Sequence, residues 1–144
     1  MGYHADVYTG LAELLAGGLP AKFPVLNVLT ASEAELSNFS KGVCIVRESI
    51  DYEPHPSINP DVDTADQGEM WAWTLYITGG GGRARPAGSG AEVDRYLEQI
   101  RTALNAQRPT TDCGPMHLAS EEFEGREGAT VTYTQRWIHR RLAG

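Results

Sequence analysis

The chain has 144 residues, 41% of them hydrophobic and 22% charged, with a formal net charge of −7. That length suits one domain, read here as 1–144, able to bury about two thirds of its unfolded surface without disulfides or metals. The acidic balance argues against nucleic acid or anionic lipid as partner, because phosphate recognition needs a basic field, and no stretch approaches the roughly 20 apolar residues of a membrane span.

The N-terminus lacks the basic-then-apolar pattern of a signal peptide, so the expected compartment is the cytoplasm. Cys44 and Cys113 stand far apart in the sequence and are expected as two free thiols rather than a bridge.

In chain order, "ADVYTGLAELLAG" puts Val7, Leu11, Leu14 and Leu15 at helical spacing over 5–17. Gly17 and Gly18 predict a left-handed glycine stop, and Pro20 prevents continuation. "FPVLNVLT" predicts a short buried strand, and Ser32 with Glu35 has the capping-box spacing of a short helix. "GVCIVRESIDYE" predicts a strand rich in branched residues. The three prolines and the aspartates of "PHPSINPDVDTADQGE" predict a long loop at about 54–67.

"MWAWTLYIT" predicts a strand with Trp71, Trp73, Leu75 and Ile77 on one face. A glycine-rich loop at about 79–89 follows it. Ser89 and Glu92 then open a helix through about Ala106, with Val93, Tyr96, Leu97, Ile100 and Leu104 as its apolar stripe. "HLASEEFE" and "ATVTYTQRWIH" predict two strands joined across "GREG", with Val131, Tyr133 and Trp137 on one face and Thr130, Thr132 and Thr134 on the other. The fold class is α+β: a mostly antiparallel sheet of four to five strands, with an N-terminal helix and a second helix at about 90–106 packed on it.

Each stretch with a chemical look fails a specific requirement. "GGGGRARPAGSG" has neither the lysine nor the glycine spacing of a phosphate loop. It reads as a connector with solvated Arg83 and Arg85, and the competing reading is a small anion or nucleotide site built on those arginines. Counting a calcium loop from Asp61 gives Asp63 at the third position, but Ala65 at the fifth, Asp66 where glycine is required and Ala72 where the bidentate glutamate belongs. In "TDCGPMH", Gly114 and Pro115 separate Cys113 from His117, no further metal ligands accompany the pair, and His4, His55 and His139 lie far away in sequence. The stretch therefore predicts a helix-to-strand turn with a semi-buried Cys113. No nucleophile elbow is present, and Glu121 and Glu122, as strand neighbours, point to opposite faces. No catalytic residue, metal or cofactor is expected.

The amphipathic helix "LAELLAG", "FPVLNVLT", the long polar loop, "EMWAWTLYIT", "EVDRYLEQIRTAL" and the closing "TVTYTQRWI" together form an order of elements. In that order the chain resembles the phage and prophage tail terminators, the tail-completion proteins similar to that of phage lambda and its Mu-like relatives. "LNAQRPTTDCGPMHLASEEFE" is similar to the corresponding segment of the Mu-like group, whereas the glycine-rich loop has no counterpart in the resemblance. The resemblance implies a homohexameric ring on the last ring of the tail tube, made in the host cytoplasm and resident at the head-proximal end of the virion tail. Its implied partners are copies of itself, the tail-tube protein and the head–tail connector. A head–tail joining or stopper protein, or another minor tail protein, is the neighbouring alternative. Subunits of such a ring meet head to tail. The expected meeting surfaces are the acidic region around Asp61, Asp63 and Asp66, the arginines Arg83 and Arg85, and the basic end at Arg136, Arg140 and Arg141.

Overall fold

The structure, a computed structural model, describes residues 2–28, 41–52, 68–80 and 92–142. The predicted short helix at 32–39, most of the two predicted loops and the Ser89 cap lie outside the described residues. The described chain runs α1 (Tyr3–Gly18), β1 (Val25–Val28), β2 (Gly42–Tyr52), β3 (Glu69–Gly80), α2 (Glu92–Leu104), β4 (His117–Glu127) and β5 (Thr130–Arg141). The strands form one sheet in the order β1-β2-β3-β5-β4. β1 lies parallel to β2, and every other pair is antiparallel. The fold is therefore α+β, with a mixed and mostly antiparallel sheet.

Period-2 alternation sorts the sheet into two faces. On the helix side, Trp73, Leu75 and Ile77 of β3 meet Val43 and Ile45 of β2 and Trp137 of β5, all fully buried. The α2 stripe of Val93, Tyr96, Leu97, Ile100 and Leu104 closes over them, joined by Val7, Leu11 and Leu15 of α1. Each such side chain contributes about 1.5–3 kcal/mol when fully buried. On the opposite face Cys44 and Val46 are also buried and pack with Tyr76, so the "VCIV" run of β2 is apolar on both sides.

The element ends differ from expectation in four places. α1 stops without a left-handed glycine: Leu19 turns extended at φ −106°, ψ 160°, and its N–H still reaches the Leu15 carbonyl. Gly18 serves proximity instead, since a Cβ there would lie 2.7 Å from the Cβ of Ala103 on α2. Second, α2 ends at Leu104, where Ala106 at φ 60° turns its N–H to the Met116 carbonyl. Third, β1 is an edge strand with Leu26 40% exposed, not a buried one. Fourth, β4 runs through Gly125 and Arg126 to Glu127, so the hairpin turns at Gly128–Ala129. Gly128 sits there at φ 62°, the glycine-first form of a two-residue hairpin loop.

Candidate functional site

The turn at 107–116 packs where α1 and β5 meet. Met116 N–H donates to the Gln107 carbonyl, Gly114 N–H to that of Arg140, and Leu142 N–H to that of Asp112. These bonds hold Cys113 opposite Arg141 and fully buried, rather than semi-buried as expected. The Cys113 Sγ lies 3.0 Å from the Tyr3 hydroxyl and 3.2 Å from Thr110 Oγ1. His139 is its third hydrogen-bond partner. His139 is itself oriented by the Trp73 indole N–H, which donates to its Nε2 at 3.0 Å, while its Nδ1 lies 3.3 Å from the Arg140 carbonyl.

The sequence reading therefore located the turn and missed its partner. His117, the nearby candidate, is exposed at the start of β4. His139 arrives through strand pairing that no local spacing encodes. Burial raises the Cys113 thiol, but hydrogen bonds from His139, Thr110 and Tyr3 outweigh it and bring the thiol down to about 7. The Tyr3 hydroxyl moves the other way, pushed up first by burial and then by its bond to Cys113. A thiol beside an imidazole has the ingredients of a nucleophile. Here Sγ is sealed beneath Tyr3 and the turn, so no substrate atom reaches it in this conformation. What the group does is tie α1, the turn and β5 together.

The basic end is divided between the two faces of β5. Arg136 Nε lies 2.6 Å from Glu48 Oε2, an oxygen that also accepts from Thr74 Oγ1 at 3.2 Å. Arg141 lies 3.7 Å from Glu69 and places its guanidinium 4.3 Å from the centre of the Tyr3 ring. Arg140 is exposed, and as Arg141's strand neighbour it points to the opposite face, the one Arg136 occupies. Glu48 and Glu69 thus meet Arg136 and Arg141 within one subunit. Asp61, Asp63, Asp66, Arg83 and Arg85 lie outside the described residues.

A second polar tether joins α2 to the β4–β5 hairpin. Glu121 accepts from Arg101 at 2.5 Å and from Gln135 Nε2 at 2.7 Å. Gln135, fully buried, also donates to the Leu97 carbonyl at 3.2 Å and accepts from the Trp137 indole at 3.0 Å. Glu122 stands on the other face, opposite Thr134, so the two adjacent glutamates form no acid pair. Beyond this tether β4 is exposed on both faces, and Phe123 is 57% exposed with its ring edge-on to Tyr133. Among the described residues no group of three or more His, Cys, Asp or Glu side chains converges as a metal site would need.

No family model and no curated protein matches the chain. Among solved structures it is similar to a chain of "Virion of native gene transfer agent (GTA) particle" at 11% identity, with a TM-score of 0.55 over 98% of this chain and 95% of that one. At that identity the likeness is one of fold.

Proposed function

We propose that the chain is a structural subunit of a phage-like virion and acts there as a tail terminator. In this reading, copies close into a six-membered ring on the end of the tail tube, stop its polymerisation and offer the head connector its docking surface. One observation carries the virion part: the fold likeness spans nearly the full length of both chains, so it concerns the whole domain rather than one common motif. The terminator role rests on the order of elements read in the sequence. Cys113, though close to His139, is sealed beneath Tyr3 and serves the packing of the turn, which is compatible with a structural role.

The test is the mass of the purified protein across a concentration series, alone and mixed with a tail-tube protein from the same genome, with negative-stain imaging. Closed rings capping short tubes are expected. A protein that stays monomeric under both conditions excludes the ring. A ring that binds connector but not tube would move the subunit to the joining position.

A further inference from the structure

Among the described residues the sheet has two lateral edges, β1 and β4, and their polarity, level and charge fit one another. We infer that copies of this chain join edge to edge, β4 of one subunit pairing antiparallel with β1 of the next. The inference rests on the ring reading and says which surfaces make the ring.

Polarity comes first. β1, β2 and β5 run one way and β3 and β4 the other. A rotation about an axis roughly along the strands preserves those directions, so β4 meets the next copy's β1 antiparallel, the more stable pairing. Level follows from the register. Val25 pairs with Val43, Val43 with Ile77, Ile77 with Tyr133, and Tyr133 with Phe123. The row above runs from Leu26 through Cys44, Tyr76 and Thr134 to Glu122 by the same pairings. The four residues of β1 thus stand level with the middle of β4, where Phe123 exposes its ring on the same face as Val25.

Charge decides the orientation. Past Phe123, β4 carries exposed Glu124, Arg126 and Glu127, a stretch with a net acidic excess. At the corresponding end of the β1 edge lie exposed Lys22, three residues before Val25, and Lys41, next to Gly42, whose register row runs through Thr78 and Thr132 to Gly125. Head-to-tail pairing therefore puts a net acidic stretch against a basic one, whereas two β4 edges meeting about a two-fold axis would bring two net acidic stretches together. The backbone agrees. The Pro24 carbonyl accepts from Val43 N–H, so it points into the sheet. Alternation along the strand then turns the N–H groups of Val25 and Asn27 outward. The glutamates and the two bulges of β4 also fit the usual defence of an edge against indiscriminate pairing. The experiment separates that defence from a specific joint.

The full-length chain is compared with Glu124→Lys/Glu127→Lys, with Lys22→Glu/Lys41→Glu, and with all four substitutions together, with and without tail-tube protein. Association is read by mass photometry and the subunit's fold by thermal melting. Each double variant is expected to weaken association about tenfold while melting as the parent does. The quadruple variant, and an equimolar mixture of the two doubles, should recover it. Asn27→Pro, which removes an outward N–H and leaves the β1–β2 ladder intact, should abolish rings without lowering the melting temperature. Rings that form within twofold of normal in every variant would overturn the edge joint and leave the ring reading standing. A parent chain that never associates would overturn both.

Discussion

Cys113 is held by partners from three separate segments, Tyr3, Thr110 and His139, and its thiol is brought down to about 7 from the ordinary value of 9. Between those two values the unfolded chain holds a proton that the folded chain has released, so the thiolate's contribution to stability grows as pH rises from 7 to 9 and is lost below 7. Cys113→Ser keeps the size but not this ionisation. Urea unfolding at pH 7 and pH 9 should show the variant less stable at both, by about 1–3 kcal/mol at pH 7, and falling further behind at pH 9. A gap that stays constant with pH would mean the thiol is protonated throughout. Arg141 is testable at the same scale. Arg141→Glu removes a contact with Tyr3 and opposes Glu69, so it should lower the melting temperature. Circular dichroism melts of the variant and the parent decide the point, and equal melting temperatures would show that neither contact contributes to stability.

Among the elements, the helices and strands were legible wherever apolar periodicity was strong. The Trp71-Trp73-Leu75-Ile77 alternation and the Val93-to-Leu104 stripe both proved to be the buried faces. What the sequence did not disclose were properties set by distant neighbours: the parallel direction of β1, its place at an edge, and the meeting of His139 with Cys113. The glycines of α1 misled for the same reason: Gly17 and Gly18 read locally as a stop, whereas Gly18, like Gly10 earlier in the helix, is needed for close approach. A Cβ on Gly10 would lie 2.0 Å from the carbonyl oxygen of Pro109, whereas one on Gly17 would meet nothing within 4 Å. Gly10→Ala should therefore cost about 1–3 kcal/mol through forced displacement of the turn. Gly17→Ala should stabilise by up to about 1 kcal/mol, as alanine does at an unobstructed helical position. Denaturant midpoints of the two single variants check this, and equal effects would show that α1 does not seat against the turn as described.

For the whole molecule, a ring joined through exposed charges should be sensitive to ionic strength, because the Debye length shrinks from about 10 Å at 0.1 M salt to about 3 Å at 1 M. Association followed by light scattering should slow as salt is raised, and rates unaffected by salt would show that charge does not steer the encounter. The order β1-β2-β3-β5-β4 has another consequence, for synthesis on the ribosome. β5, synthesised after both of its neighbours, lies between β3 and β4 and pairs with both along nearly its whole length. Until it has left the exit tunnel, β3 has an open apolar margin and β4 has no place to dock. The sheet is therefore finished only once residues 130–141 are free to pair. A premature stop anywhere before Thr130 removes the strand that joins β3 to β4, not a dispensable tail, and leaves the nascent product dependent on chaperones or prone to aggregate.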